Sequence, residues 1–457
     1  MLTGENGILK QATSAKDTTD KSEFEEQVKL AVTASRVNDK GAIDLKVLEA
    51  EINKISGAEI TKNGTENNLP WTVKKGSYEV TIIADGVTTN TTGKDDSKKD
   101  EDTKIDYGTK KPGEDTRTVI EQATSAKPEG STIDSATNEN TGIVMIDSNQ
   151  NEWVWIEVPS TVFTSATSST DYDKIKADLI AYAKDYRSSY TDEWYAKDGS
   201  TLVTASTEGL TEAQKLLNNG CGLTYNEYNT NYNKMLSSIY TNKGFYIGRY
   251  EAGIAGSDEN TSLARFTRTE ITNDSPKAVS KKDMIPYNYV YCSDAQQLAN
   301  EMSTGNKTSS LMYGIQWDLV CKFLEVKGNW DTTINTAQYY IKESSTSWGN
   351  YSKSTFTINS TKAKKYNSSN KSYDDMTGEK TSSMLLTTGA SEQNKKMNIY
   401  DFAGNEWECT LEKTTVTRYP CSGRGGSYLY NAYPVSYRSS DSTTNSLSNV
   451  GLRVSLY

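Results

Sequence analysis

Large apolar residues are unevenly spaced along this chain, and their period changes from block to block. Residues 2–16, followed by Phe24, Val28, Ala31, Val32 and Ser35 at helical spacing, predict an amphipathic helix with one narrow apolar face at the start. Leu45, Leu48, Ile52 and Ile55 repeat at intervals of three and four between Gly41 and Gly57, predicting a second, short helix with a glycine stop. Between Leu69 and Val87 the period drops to two. Tyr78, Val80 and Ile82 alternate with polar neighbours after Lys75-Gly76, as in a small β-hairpin. From Thr88 to Asn140 large apolar residues almost vanish, so burial cannot offset the entropy of ordering, and a flexible polar linker is expected.

Apolar residues return with the strand-like run Trp153-Val-Trp-Ile-Glu-Val-Pro159. Ile175, Leu179, Ile180 and Ala183 set a helix within 172–187, and a further helix is expected from Thr211. Helices are also expected over Ser293–Met302 and Ile315–Glu325. The stretch 344–391 is rich in Ser, Thr, Asn and Lys without periodicity and reads as surface loops. The expected division is 1–57 helical, 58–87 a small β module, 88–140 linker and 141–457 a large α+β head.

Composition narrows the chemistry. A net charge of −10 and a pI near 5.0 oppose a nucleic-acid or anionic-membrane partner, since both need clustered Lys and Arg. The 457 residues contain no histidine, which removes the commonest general base and the commonest zinc ligand together. Cys221, Cys292, Cys321, Cys409 and Cys421 show no metal-ligand spacing. Cys409 and Cys421 are close enough in sequence for a disulfide, and buried thiols are the other reading. No run of eighteen apolar residues occurs.

The last sixty residues carry the densest punctuation. Asn398-Ile-Tyr-Asp-Phe-Ala-Gly-Asn-Glu-Trp-Glu408, then Arg424-Gly-Gly-Ser-Tyr428, then Asn449-Val-Gly-Leu-Arg453 place glycines where a side chain would obstruct the backbone. In this order they resemble the formylglycine-generating-enzyme (sulfatase-modifying-factor) branch of the C-type lectin fold, whose pattern reads N-x-x-G-L-Y-D-M-x-G-N-V-W-E-W, R-G-G-S-W, N-x-G-F-R. Upstream, the Trp153 run resembles that family's opening strand. Phe245-Tyr-Ile-Gly-Arg-Tyr-Glu251 is similar to its F-x-M-G-x-x-E, and Leu311-Met-Tyr-Gly-Ile-Gln-Trp-Asp318 to a degenerate L-P-T-E-A-E-W-E. The opening LTGENGILKQA is similar to the segment after the membrane stem of type IV prepilin-like proteins. That likeness implies a pilin-like stalk, membrane or pilus attachment through a missing N-terminal helix, and an extracellular location.

The resembled enzymes use a cysteine pair shortly after R-G-G-S-W, with copper. The matching stretch Tyr428–Arg438 has no cysteine, and no other side chain there supplies a soft thiolate. The expectation is therefore not an enzyme and no cofactor, with a structural calcium allowed around 401–408; a relative with lost or altered activity is the alternative. Variable proteins of diversity-generating retroelements share this branch and vary residues between R-G-G-S and G-F-R. Here that interval is 430–448, and its residue types are largely those reached by changing adenines in an asparagine codon, the mechanism that family uses.

Five tyrosines lie within 419–437, about four times the chain's average density. Tyrosine with Ser, Asn and Gly is a paratope composition, because a two-torsion amphipathic ring buries much area at low entropy cost; packing of the sheet is the other reading. The candidate ligand-binding residues are Tyr430, Asn431, Tyr433, Ser436, Tyr437, Ser439, Ser440, Asp441, Asn445 and Ser446, with Arg424, Gly425, Gly426 and Arg453 as scaffold. The expected partner is a protein or glycan on a cell or phage surface.

Overall fold

The computed structural model describes residues 24, 27–28, 31–32, 35–37, 42–62, 69–83, 86–89, 115–197, 199, 220–431 and 433–457. The helices expected over 2–16 and from Thr211, and positions 90–114 of the expected linker, lie outside the described residues. The chain is mixed α+β and forms two compact units, 1–106 and 107–457.

In the first unit, helix α1 (Leu45–Ile52) starts at Asp44, whose carboxylate accepts the Lys46 and Val47 amides at 2.9 and 3.2 Å. Strands β1 (Glu59–Lys62), β2 (Trp71–Lys75), β3 (Tyr78–Ile83) and β4 (Gly86–Thr89) follow one another as an antiparallel sheet. Trp71, Val73, Val80 and Ile82 share one buried cluster with Leu48, Ile52 and the helical residues Phe24, Val28, Ala31 and Val32. The expected boundary at residue 57 between stalk and β module is thereby corrected. A half-apolar helix and a half-apolar sheet each need the other as cover.

The second unit centres on a six-stranded antiparallel sheet. Helix α2 (Val119–Ala126) opens with a reciprocal Thr118–Glu121 cap and leads to β5 (Thr132–Ile133), the outermost strand beside β6 (Val144–Ile146). Next come β7 (Glu152–Glu157), helix α3 (Tyr172–Tyr182), helix α4 (Tyr225–Asn242) and β8 (Gly244–Gly248). Helix α5 (Cys292–Asn300), β9 (Ser309–Leu311) and helix α6 (Gly314–Lys327) complete the middle of the chain. A smaller sheet holds β10 (Trp407–Lys413) between antiparallel β11 (Cys421–Arg424) and parallel β12 (Val450–Leu452). The final strand β13 (Val454–Leu456) returns to the large sheet, whose order is β9-β13-β8-β7-β6-β5. Arg453 alone separates β12 from β13, so it stands where the chain passes from one sheet to the other.

Positions 115–140 therefore belong to the head and not to a linker, which corrects the boundary at residue 141. Ala123 and Ala126 enter the main core, and Tyr246 Oη donates to the Ala123 carbonyl at 2.7 Å. Alanines pack closely without registering as large apolar residues, and local caps satisfy the polar chain between them. The expected loops of 344–391 also contain two antiparallel strand pairs, Phe356–Ile358 with Gly378–Lys380 and, between them in the chain, Lys364–Asn367 with Ser372–Asp375. Phe356, Ile358, Ala363, Leu386 and Ala390 form a satellite core there.

A fragment 107–457 should consequently outlast a fragment 141–457 in thermal unfolding, the shorter one losing ~2 kcal/mol or more through the bared sheet edge and the alanine-sized voids. Equal melting of the two would restore the boundary at 141.

Candidate functional site

The three glycine-marked motifs interlock. Gly404 N–H donates to the Gly425 carbonyl at 2.8 Å, Tyr428 N–H to the Asn405 carbonyl at 3.0 Å, and Trp407 N–H to the Asn449 carbonyl at 2.8 Å. Asn449 Nδ2 reaches Ser427 Oγ at 3.2 Å. Gly426 sits at φ +80°, and a Cβ there would lie 2.6 Å from both the Tyr433 carbonyl and the Tyr351 ring, so only glycine fits. Arg453, 1% exposed, forks onto Glu408 at 2.7–3.0 Å and caps the carbonyls of Gly248 and Tyr400 at 2.8 and 2.9 Å. One side chain thereby joins β10 to the last residue of β8.

Beneath the Tyr-rich segment lies a charge lattice of three arginines and three carboxylates. Arg424, 0% exposed, bonds Glu412 and Asp318 at 2.9 Å each. Arg438 bonds Glu412 at 2.8 Å and Asp318 at 2.6 Å, and Arg187 reaches Asp318 at 2.7 Å. Asp192 stands 3.7 Å from Arg187 and accepts the first amides of α6, Gly314 and Ile315, at 2.6 and 3.2 Å. Burial opposes ionisation of Glu412, yet Arg424, Arg438 and Arg187 together outweigh it and hold the carboxyl below its ordinary range. Burial pushes Asp192 up to about 6 against the pull of Arg187.

Above the lattice four aromatic rings meet. Tyr433 contacts Trp407, Tyr430 and Tyr437 with ring centres 5.5, 5.3 and 4.5 Å away. Trp407 is buried and forms the floor, whereas Tyr430 and Tyr437 are 44% and 42% exposed, with Leu429 and Asn431 exposed beside Tyr430 in the chain. The other candidate residues are half-buried, and most of them are tied down. Ser436 N–H donates to the Ile341 carbonyl at 3.2 Å, and Ser439 exchanges bonds with Gly423 through both backbone and hydroxyl. Ser440 lies beside the Tyr190 side chain. Asp441 is paired to Cys421 by two main-chain bonds and accepts Asn445 Nδ2 at 2.8 Å, while Ser446 Oγ is buried without a partner. The structure thus gathers Tyr430, Asn431, Tyr433 and Tyr437 at the surface and places Ser439, Asp441 and Asn445 in a hydrogen-bonded margin. Sequence reasoning missed Trp407 and Arg438. Trp407 sits inside a glycine-marked motif that signals scaffold, and nothing local marks Arg438, whose partners are 26 and 120 residues away.

A second acidic group lies around the Gly404-Asn405 turn. Asn405 Nδ2 bonds Glu251, but the other Glu251 oxygen and both Glu406 oxygens lack a partner in fully buried positions. Burial first, then the neighbouring carboxylates Glu406, Asp401 and Glu408, push Glu251 well above 4.5; burial does the same to Glu406, beside Asn288 and Glu408. Among the described residues no set of three Cys, Asp or Glu side chains converges as a metal site. No helix among the described residues is long and apolar enough to cross a membrane.

No protein-family model, curated protein or solved structure matches the chain.

Two predictions follow from these charges. Arg438→Ala leaves Asp318 and Glu412 short of a partner inside the protein and should cost ~3–5 kcal/mol in chemical denaturation; a loss under ~1 kcal/mol would mean water already screens the lattice. Glu406→Gln mimics the protonated acid. Because the folded carboxyl titrates above its unfolded value, its cost appears as pH rises through 4.5 toward the raised value. The variant should therefore match the parent near pH 4 and gain ~1–3 kcal/mol near pH 8. An equal gain at both pH values would show that Glu406 is not titrating.

Proposed function

We propose that this chain is a non-catalytic ligand-binding protein displayed at a cell surface, with its head a C-type-lectin fold of the formylglycine-generating-enzyme type. The interlocked glycine motifs and the interior position of the last strand support that fold reading. The observation that carries the function is the half-exposed aromatic cluster Tyr430–Tyr433–Tyr437 on the Trp407 floor, mounted on a charge-compensated buried lattice. Large rings with limited torsional freedom over a fixed base suit recognition at low entropy cost. Their neighbours Leu429, Asn431 and Ser436 add apolar area and neutral hydrogen-bonding groups, so the fitting ligand is a protein or glycan surface rather than a polyanion.

The same geometry bears on diversification. Within 430–448, Val435 and Thr443 are buried and Arg438 is held by the lattice, whereas Tyr430, Asn431, Tyr437, Thr444 and Leu447 are exposed. A retroelement-diversified protein would spare the first group and vary the second.

Tyr430→Ala and Tyr437→Ala should each leave thermal unfolding within ~0.5 kcal/mol of the parent while weakening capture on whole cells or a glycan and protein array by ~2 kcal/mol or more. Tyr433→Ala, being half-buried, should lose both. Large melting losses at Tyr430 and Tyr437 with unchanged capture would identify packing residues and end the binding-face reading.

A further inference from the structure

Away from the aromatic face, helix α4 carries a stripe of short polar side chains. Its buried side is built from Tyr228, Tyr232, Met235, Leu236 and Ile239, whereas Thr230, Asn233, Lys234, Ser237 and Thr241 recur at intervals of three and four on the side left open. Tyr172, at the head of α3, and Asn306 and Lys307, in the turn leading to β9, join this stripe and Tyr457 in lining an open cavity of about 660 Å³.

The lining holds two lysines and no acidic side chain, in a chain whose net charge is −10. Lys234 Nζ donates to Thr308 Oγ1 at 2.5 Å. Lys307 is half-buried, and its ammonium has no acidic or hydrogen-bonding partner among the described residues. Other lysines of this unit that leave the solvent are answered: Lys322 by Glu325 at 3.0 Å, Lys364 by Asp375 at 2.5 Å, and Lys380 by the Ser354 carbonyl at 2.8 Å. Burial first, and then the like charge of Lys234, lower the pKa of Lys307. An anion in the cavity would answer both ammoniums at once.

The neutral part of the lining has its own chemistry. Among the described residues Thr230, Asn233, Ser237 and Thr241 spend no side-chain hydrogen bond within the protein. Hydroxyls and amides donate as well as accept, which matches a ligand with many hydroxyl groups, and Tyr172 adds a flat apolar ring. A cavity of this size suits a small ligand held by a few convergent polar groups.

We propose that this cavity binds an acidic sugar, a hexose ring bearing a carboxylate, sulfate or phosphate, with Lys234 and Lys307 on the anionic group and the α4 stripe on the ring hydroxyls. Lysines act as point charges and not as a planar fork, so the site selects negative charge without demanding the shape of one particular anion. None of the lining residues belongs to the Tyr-rich face, so the site stands or falls independently of what that face binds.

The test titrates the full-length protein by calorimetry with glucuronic acid, galactose sulfate and glucose phosphate, each against its neutral hexose, and with inorganic sulfate and phosphate alone. At least one acidic sugar should bind ~10-fold or more tightly than both its neutral hexose and the free anion. Lys307→Gln and Lys234→Gln should each weaken that binding ~10-fold or more. Neither substitution should lower the melting temperature, because each removes one of two like charges that share the cavity. Acidic sugars bound no better than neutral ones, free sulfate or phosphate bound as tightly as the sugars, or binding untouched by both lysine substitutions would overturn the proposal. The comparison of sugars on the unaltered protein settles the charge requirement even where a variant fails to fold.

Discussion

The sharing of Asp318 and Glu412 between Arg424 and Arg438 is the interaction on which the ligand-facing end depends. Each ion costs several kcal/mol to desolvate, and only good geometry with every charge answered recovers that cost. Here Arg424 contributes from β11, Glu412 from β10, Asp318 from α6 and Arg438 from the Tyr-rich segment itself. Arg187 and Asp192 extend the set and keep it neutral. Helix α6 and three segments nearer the C-terminus are thus fixed at one point, and planar guanidinium forks fix angle as well as distance.

This arrangement explains how a segment with few aliphatic residues can still hold one shape. Val435 is the one fully buried aliphatic side chain among its described residues, and Trp317 Nε1 donates to that residue's carbonyl at 3.0 Å. The remaining restraint is polar and comes from below. Tyr430 and Tyr437 on the upper side are then spared from core packing, so their identity and the stability of the fold become separable. That separation is the physical requirement for a surface that recognises something, and more so for one that changes.

Much of the frame was legible because backbone constraints leave marks in sequence. Gly426 and the Gly404-Asn405 turn fell where steric exclusion demanded, and Ile315–Glu325 was found within the observed Gly314–Lys327 helix. The Trp153 run became a strand buried across its centre. What escaped notice is held by long-range pairing or by small residues. Arg438 looked like one more polar position in a variable stretch, yet it is the segment's anchor. Ala123 and Ala126 carried too little apolar area to mark 115–140 as part of the head, and Cys409 and Cys421, close enough in sequence for a disulfide, are buried free thiols.

Amide hydrogen exchange across 429–443 tests the central claim most directly. If the lattice makes this segment part of the folded core, the amides of Val435, Ser439 and Asp441, which donate to Ser345 Oγ, the Gly423 carbonyl and the Cys421 carbonyl, should open only with global unfolding, as slowly as those of β7. Exchange at the rate of an unprotected surface loop, while β7 stays protected, would contradict the account: the lattice would then not hold the face.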